Sequence, residues 1–305
     1  MEDKLTVSVV NFTADWGDPG RNLGRMLEIA DKAGRAGTDI LVFPETALTG
    51  YDDAPAESRE EKMHRRLAET VPGPASLAMA EVCGKYGMYA VFGLPEREGG
   101  RVYNSAAVCG PEGVIGAARK IHLPFSEMNW ADCGDEPFLF ETPWGPVGVS
   151  ICYDTYAFPE VTRYFRAMGA RLILNVSAIG TSASGGAGAY AGNIPLVYHA
   201  QNNSVFIATA NLTGKERQTV FMGGAGVIGP AAVPPEVMYY AGAPFSEGAP
   251  SPESVETASI DLSVTDVSFL ATVFTGDGWK PDMYAGWLLK AAAARARRTK
   301  GGEEA

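Results

Sequence analysis

The chain has 305 residues, of which 46% are hydrophobic and 20% charged, so it is long and apolar enough to bury a large core and is not a disordered protein. Its formal net charge of −11 argues against nucleic acid as a partner, because phosphate backbones are bound through clustered Lys and Arg. The basic cluster at 290–300 is predicted to be a helix end or tail with solvated charges.

Short apolar runs bounded by turn residues alternate with segments of helical period along the chain. The predicted strands, in chain order, are 5–10, 39–43, 88–93, 102–110, 147–151, 171–177, 205–211, 223–229 and 257–262. The predicted helices are 22–36, 75–86 and 159–168. Because the strands are apolar on both faces and alternate with helices, the pattern predicts sheets covered by helices, which is an α/β fold.

No Pro/Ser-rich linker divides the chain, so we predict a single domain over 1–285, followed by a helix end and tail over 286–305. The Gly-rich segment 180–192 has the composition of a long loop. Either a lid over a site or a plain surface connection fits that composition.

The N-terminus leads almost directly into a strand-like run, without the basic, apolar and small-residue regions of a secretory signal. No run approaches the roughly 18 apolar residues that predict a membrane-spanning helix. We therefore expect a cytoplasmic protein without a membrane partner. The four cysteines show no CxxC spacing and the three histidines no HxH or HExxH spacing, so free thiols and no metal site are predicted.

Three chemically capable side chains lie at or near the ends of extended segments. Glu45 follows one predicted strand, Lys120 lies near the end of an apolar segment, and Cys152 follows another strand. Each has a structural explanation on its own, since Cys is often buried filler, Glu pairs with a cation and Lys is usually solvated. Ligands of open α/β sheets bind outside the carboxyl ends of strands, so we expect the three side chains to share one site.

Three motifs carry a family resemblance. They are Phe-Pro-Glu at 43–45, Arg-Lys-Ile-His-Leu-Pro at 119–124, and Cys-Tyr-Asp at 152–154 with Phe-Pro-Glu at 158–160. Further matching segments are Gly-Pro at 73–74, Tyr-Asn-Ser at 103–105, Gly-Asp at 134–135, Asn-Val-Ser-Ala at 175–178, Ala-Gln-Asn-Asn at 200–203 and the run 224–230. In this order they resemble the signatures of the nitrilase, or carbon–nitrogen hydrolase, superfamily over most of the chain.

The resemblance implies a catalytic triad of Glu45, Lys120 and Cys152. It also implies a second, supporting glutamate, which falls on Glu127 because the distance from there to the Gly-Asp pair is the expected one. Glu136 is the nearby alternative. No cofactor is implied, and the expected partner is a small-molecule amide or carbamoyl substrate.

The chemistry explains why these residue types are needed. A thiol with a pKa of about 8.5 is only a few per cent thiolate at neutral pH, so attack on an amide needs an adjacent base or cation. Glu45 is expected to take the proton of Cys152, while Lys120 and the backbone N–H of Tyr153 stabilise the oxyanion. A weaker alternative is a Cys/His scheme that uses His122, which shares a strand face with Lys120.

The resemblance favours an amidase or carbamoylase branch, because Cys-Tyr-Asp is less similar to the Cys-Trp-Glu of nitrilases. We therefore expect hydrolysis of a small non-peptide amide or N-carbamoyl compound through a cysteine thioester, with release of ammonia or an amine. Nitrile hydrolysis, acyl transfer from the same thioester, and a non-catalytic ligand-binding protein of the same fold are the alternatives. Predicted substrate-binding residues are Tyr51, Tyr153, Tyr156 and Ser177, with Trp130 and Tyr190 as further pocket aromatics.

The implied fold is a four-layer αββα sandwich of two mixed β-sheets flanked by helices. The implied assembly is a homodimer or higher homo-oligomer, with 159–168 and 279–298 at the interface. The chain departs from the family in having one residue more between Cys152 and Phe158, which predicts a bulged turn after the nucleophile. It also has Ile179 and a Gly-rich stretch where the family has Trp, which predicts a wider or more mobile acyl pocket.

Overall fold

The computed structural model describes residues 1–52, 58–124, 127–181, 193–231, 236–245, 250–267 and 279–301, the side chains of 296–301 excepted. The strands in these ranges are β1 Lys4–Phe12, β2 Ile40–Val42, β3 Tyr89–Glu98, β4 Arg101–Gly110, β5 Gly113–Arg119, β6 Phe138–Thr142, β7 Gly145–Ile151, β8 Leu172–Ser177, β9 Gly180–Thr181, β10 Phe206–Lys215, β11 Val220–Met222, β12 Gly226–Pro230, β13 Val237–Gly242 and β14 Ser254–Asp261. The α-helices are α1 Pro19–Arg35, α2 Met63–Arg66, α3 Pro74–Tyr86, α4 Tyr153–Ala157, α5 Pro159–Ala167, α6 Ile194–Asn203, α7 Val264–Val267 and α8 Pro281–Gly301. A 3₁₀ turn spans Glu127–Asn129.

The strands form a mixed hydrogen-bonded network whose main path runs β5-β4-β3-β2-β1-β10-β8-β7-β6. The central pairings β3–β2, β2–β1, β1–β10, β10–β8 and β8–β7 are parallel. The outer pairings β4–β3, β5–β4 and β6–β7 are antiparallel, as are β14 on β1 and β12 on β10. The predicted site residues Glu45, Lys120 and Cys152 follow the carboxyl ends of β2, β5 and β7.

The network is folded over so that its two halves lie face to face. Strands β2 and β3 contact β8, and β4 and β5 contact β7, although these strands are not neighbours in the hydrogen-bonding order. Val9, Val42 and Val91 of one half lie in the same buried cluster as Val149 and Leu174 of the other. Helices cover the outside of both halves, so the predicted αββα class is confirmed. The two sheets are not separate, however, because a short parallel pairing of β1 with β10 joins them.

Strand alternation assigns side chains to the two faces of the first half. Leu41 of β2 packs in the outer cluster with Met26 of α1 and Met79 of α3, whereas Ile40 and Val42 lie in the central cluster. This is the period of two that a strand buried on both faces requires. On the second half, α5 contacts β7, and α6 contacts β10 and β12.

The predicted strands and helices all coincide with observed elements. Strands β6, β9, β11 and β13 and the helices α2, α4, α6 and α7 were not predicted, and β5 was anticipated only as the apolar segment that leads to Lys120. Helix α8 runs through residue 286, so the predicted boundary between domain and tail lies inside a helix, and the domain division stays a prediction. Among the described helices, none has the length and apolar character needed to cross a membrane.

Candidate active site

The Glu45 side chain is completely buried at the carboxyl end of β2. Thr46, the next residue, has φ 47, so the chain turns sharply there. Burial raises the pKa of Glu45, and the charge of Glu127 raises it further, although Lys120 and Asn104 oppose the shift. Glu45 is therefore held closer to neutrality than an ordinary glutamate.

Gly93 of β3 allows the Glu45 turn to approach the sheet. A Cβ on Gly93 would overlap the backbone nitrogen of Thr46 and would lie 2.5 Å from Cα of Glu45. We expect Gly93→Ala to displace the turn, lowering the free energy of unfolding by about 1–3 kcal/mol and reducing catalytic activity. Gly100→Ala is the matched control, because no atom lies within 4 Å of a Cβ built there. Urea unfolding and amide turnover measure both effects, and equal behaviour of the two variants would contradict the expectation.

Lys120 lies directly after β5, and its backbone is fixed on both sides. Its N–H donates to the Asn104 carbonyl at 2.8 Å, and its carbonyl accepts from the Gly134 N–H at 2.8 Å. The buried ammonium Nζ lies 2.6 Å from Oε1 of Glu45 and 2.5 Å from Oε1 of Glu127. Burial alone would lower the pKa of Lys120, but Glu127 and Glu45 outweigh it and raise the pKa. Lys120 is therefore a fixed cation between two carboxylates.

Asn104 of β4 organises the same two carboxylates. Its Nδ2 donates to Oε1 of Glu45 at 2.8 Å and to Oε2 of Glu127 at 2.9 Å. The Tyr51 hydroxyl adds a third donor to Glu127, at 2.6 Å from Oε1. Within the described ranges, the buried Oε2 of Glu45 has no hydrogen-bond partner. Buried acceptors normally have a hydrogen-bond partner. Oε2 of Glu45 is therefore available to accept a hydrogen bond or a proton from another group.

Cys152 lies between β7 and α4 in a strained backbone conformation, with φ 46 and ψ −100. Non-Gly residues at positive φ are uncommon and are concentrated at functional sites. Burial raises the pKa of the Cys152 thiol well above its usual range, and the Glu45 carboxylate raises it further, while Lys120 and a hydrogen bond from the Ala178 backbone oppose the shift. The resting side chain is therefore a neutral thiol within electrostatic range of the Glu45–Lys120 pair.

Asp154 connects the Cys152 turn to the chain that follows Lys120. Its carboxylate accepts from the backbone N–H of Ile121 at 3.0 Å and of His122 at 2.8 Å. It also lies 2.7 Å from Nδ1 of His122, whose ring stacks on Phe158 with centroids 3.4 Å apart. Because the carboxylate is itself on α4, it sets the position of the strand end that carries the cation relative to the turn that carries the thiol.

A network of polar side chains holds α4 against the second half of the sheet. The Thr155 hydroxyl donates to Asn175 Oδ1 at 2.8 Å and lies 2.6 Å from the Ser150 hydroxyl. Asn175 Nδ2 donates in turn to Ser177 Oγ at 2.8 Å. The segment between Cys152 and Phe158 is the short helix α4, in which the backbone N–H groups of Thr155 and Tyr156 donate to the Cys152 carbonyl. The predicted bulge is therefore wrong.

The other predicted residues have different surroundings in the structure. Tyr51 and Tyr156 lie within electrostatic range of Cys152, and burial raises the pKa of both. Tyr153 is half-buried and packs edge-on against the Phe158 ring. Ser177 is buried and accepts from Asn175.

Glu136 is exposed, whereas Glu127 contacts Lys120, so the geometry favours Glu127 of the two. Trp130 stacks on His64 with centroids 4.2 Å apart, and Tyr190 lies outside the described residues, as do 182–192 of the Gly-rich segment.

Asn104 and Asp154 are the side chains that the sequence reasoning missed. Both lie in segments that resemble the family, Tyr-Asn-Ser and Cys-Tyr-Asp, but neither received a role. An Asn in a strand predicted to be apolar was the available signal, because a buried amide requires partners. Asp154 carried a similar signal, as an acidic residue two positions after a candidate nucleophile.

Two surface pockets lie away from these residues. One, of about 400 Å³, is lined by α1 and β14 residues, and another, of about 520 Å³, surrounds the turn between β4 and β5. Neither contains a side chain of the Glu45–Lys120–Cys152 group. The chemistry, and not the size of these openings, therefore defines the candidate site.

Residues 6–262 match the family model of carbon-nitrogen hydrolases. The chain belongs to the carbon-nitrogen hydrolase family. This carbon-nitrogen hydrolase is 32% identical over 267 residues to a nitrilase from Pyrococcus abyssi, covering 85% of the chain and 90% of the relative. It is 31% identical over 253 residues to an omega-amidase from Danio rerio, covering 79% and 83%.

Solved structures show the same fold for this carbon-nitrogen hydrolase. An amidase from Nesterenkonia superposes with a TM-score of 0.71 at 21% identity, covering 94% of this chain and 98% of that one. A Glu-to-Gln variant of the same amidase, with a TM-score of 0.68 at 22% identity and coverage of 86% and 92%, carries the acetamide moiety of fluoroacetamide on its active-site cysteine. At these identities the superpositions establish the fold.

Proposed function

We propose that the protein hydrolyses the C–N bond of a small non-peptide amide or N-carbamoyl compound through a thioester on Cys152. The observation that carries this proposal is the hydrogen bonding of the two Glu45 carboxylate oxygens. Oε1 is bound to the Lys120 ammonium, while the buried Oε2 has no partner among the residues that the structure describes. A buried base with one oxygen held and one free suits proton transfer from a neutral thiol.

In the first half of the proposed reaction, Oε2 of Glu45 accepts the thiol proton as Sγ of Cys152 attacks the carbonyl carbon. The resulting oxyanion is stabilised by the Lys120 ammonium and the backbone N–H of Tyr153. The C–N bond then breaks, and Glu45 returns the proton to the departing nitrogen. An acyl thioester remains on Cys152, and ammonia or an amine leaves.

In the second half, Glu45 takes a proton from a water molecule that attacks the thioester carbonyl. The C–S bond breaks, the acid leaves, and Cys152 regains its proton from Glu45. Glu127 holds Lys120 in place through both halves of the reaction. The short contact between Oε1 of Glu127 and Nζ of Lys120 supports this role. Tyr51, Tyr153, Tyr156 and Ser177 stay predictions as substrate-binding residues.

The relatives support this proposal at the level of reaction type. The Danio rerio relative is an omega-amidase, and the Glu-to-Gln variant of the Nesterenkonia amidase carries the acetamide moiety of fluoroacetamide covalently on its active-site cysteine. Nitrile hydrolysis is the second candidate, because the Pyrococcus abyssi relative is a nitrilase. Both reactions pass through the same thioester.

We expect His122→Asn to reduce amide turnover by less than about tenfold, far below the loss expected for a catalytic base. The described contacts of the His122 ring are with Asp154 and Phe158, and Asp154 keeps both of its backbone donors when the ring is removed. Steady-state kcat/KM measures the effect. A loss as large as that of Glu45→Gln would overturn the assignment of the base.

Product analysis tests the proposed function. The purified protein and Cys152→Ala are incubated with pools of small amides, N-carbamoyl amino acids and nitriles, and the products are identified by mass spectrometry. An acid and an amine or ammonia that form with the parent protein but not with Cys152→Ala support hydrolysis. If hydroxylamine is added and a hydroxamate forms in preference to the acid, acyl transfer is supported. No product and no covalent adduct on Cys152 would favour a ligand-binding protein.

We also propose that the protein is a cytoplasmic homodimer or higher homo-oligomer, as its family resemblance implies. Support comes from exposed apolar side chains on and around three helices, α5, α6 and α8: Tyr164, Met168, Ile194, Tyr198, Met283, Trp287, Leu288 and Leu289. Burial against a second copy would remove this apolar surface from water. Location and assembly stay predictions.

A further inference from the structure

Two chain segments far apart in sequence cap each other beside the candidate site. Glu216 lies in the turn between β10 and β11, and its carboxylate accepts from the backbone N–H of Tyr51 at 3.0 Å and of Asp52 at 2.8 Å. In return, the buried Asp52 carboxylate accepts from the backbone N–H of Gln218 at 2.7 Å and of Thr219 at 3.0 Å. We call this reciprocal arrangement of Glu216 and Asp52 the carboxylate clasp.

Other side chains complete the hydrogen bonding of the 50–52 segment. His64 Nε2 lies 3.2 Å from the Gly50 carbonyl, and Trp16 Nε1 donates to the Asp52 carbonyl at 2.7 Å. Gly50 has φ 81, and a Cβ there would lie 3.1 Å from Oε1 of Glu216. The segment therefore needs a glycine at this point to bring its backbone onto the Glu216 carboxylate.

The residue that the clasp holds is the one that contacts the candidate site. The Tyr51 hydroxyl donates to Oε1 of Glu127, the same oxygen that accepts from Lys120. The Tyr51 ring packs edge-on against Phe221, which follows the Glu216 turn on β11. One hairpin thus supports both the backbone and the ring of this tyrosine.

We infer that Glu216 is a positioning residue of the candidate site, which acts through the Tyr51 backbone to hold the Tyr51 hydroxyl on Glu127. The inference deepens the proposed function and rests on it, because the oriented carboxylate is the one that fixes Lys120. A shift of the Tyr51 hydroxyl would remove one of the two hydrogen bonds to Oε1 of Glu127 and so loosen the position of the Lys120 ammonium bound to the same oxygen.

The electrostatics of Glu216 support this role. The pKa of Glu216 is raised to about 7, chiefly by burial and also by the charge of Asp52, although the two backbone N–H donors oppose the shift. Because a raised carboxyl pKa means that the ionised form is disfavoured in the folded state, stability from this group decreases as the pH rises through about 7. The fold therefore retains a carboxylate at this position at some cost to stability.

A double-mutant cycle between Glu216→Gln and Tyr51→Phe tests the inference. We expect Glu216→Gln to lower kcat/KM by about tenfold in the parent protein and by less than about twofold in the Tyr51→Phe background, because its effect passes through the hydroxyl. Equal factors in the two backgrounds, or no loss in either, would overturn the inference. Gln218→Ala is the matched control in the same turn, since its backbone N–H is kept, and it should change neither value.

A second readout separates this inference from the proposed function. The rate of Cys152 alkylation by iodoacetamide is measured in a Cys133→Ser background, because Cys133 is exposed and would also react. We expect the same non-additive pattern in this rate, which needs no amide substrate. If the effects of the two substitutions on the alkylation rate are non-additive but the protein hydrolyses no amide, the positioning role of Glu216 stands and the proposed function is rejected. Glu216→Asp replaces Glu216→Gln in both cycles if the latter does not fold, with the same expectations.

Discussion

Glu45→Gln is expected to lower amide turnover by about 10²–10⁴-fold while leaving Cys152 able to accept an acyl group from an activated ester. The amide nitrogen needs a proton to leave, and the water that cleaves the thioester needs a base. The glutamine supplies neither. An activated phenyl ester has a leaving group that departs as phenolate and takes up the thiol proton, so slow acylation continues while deacylation stops. Intact-mass spectrometry should then show one trapped acyl group.

The pH profile provides an independent check on the same carboxylate. Burial raises the pKa of Glu45 above the ordinary value of 4.5, so its base form is lost as the pH falls through that raised value. The acid limb of kcat/KM should therefore lie above pH 4.5 in the parent protein and should be absent from the residual activity of Glu45→Gln.

Glu81→Gln is the control for the loss of a carboxylate, because Glu81 is exposed on α3. It should leave turnover and the pH profile unchanged. Rapid amide turnover by Glu45→Gln, or an acyl group that clears at the parent rate, would remove Glu45 from the mechanism.

Lys120→Met is expected to lower the free energy of unfolding by about 3–5 kcal/mol at pH 8 and to reduce turnover by about 10²–10³-fold. The substitution keeps a side chain of similar length but leaves Glu45 and Glu127 buried beside each other without their shared cation. Lowering the pH should restore part of the stability, because protonation of Glu45 removes one of the two uncompensated buried charges. Denaturant unfolding across a pH series measures this reversal.

Lys85→Met is the matched control for the loss of a lysine. Lys85 also lies near a carboxylate, 2.7 Å from Asp31, but its side chain is 57% exposed. Its removal should have little effect on unfolding at any pH, because exposed ion pairs contribute little. Equal stability of Lys120→Met and the parent protein at pH 8 would contradict the buried carboxylate–ammonium arrangement.

The elements predicted from sequence are those with strong local signals. The central strands are apolar on both faces, and helices α1, α3 and α5 each begin at a proline. Strands such as β9 and β11 have only two or three residues, so no period can be read from them. Helix α4 was missed for a related reason, since five residues after a strained Cys152 contain too few turns to show amphipathicity.

For the site, resemblance supplied the residues and tertiary structure supplied the contacts. Glu45, Lys120 and Cys152 were singled out because they lie at or near the ends of apolar segments and fall on the three family motifs. The choice of Glu127 over Glu136 depended on a spacing, and it is the contact with Lys120 that separates them. Nothing in the sequence near Glu216 indicated that its carboxylate caps a segment 164 residues away.

The sequence by itself determined the α/β class, the positions of the main strands along the chain and the reactive residue types at the strand ends, because periodicity and local chemistry are properties of neighbouring residues. Only the tertiary structure decided which carboxylate oxygen of Glu45 has no partner among the described residues, and which groups hold Tyr51. These depend on hydrogen bonds between segments distant along the chain, and their geometry exists only after the two halves of the sheet have packed together.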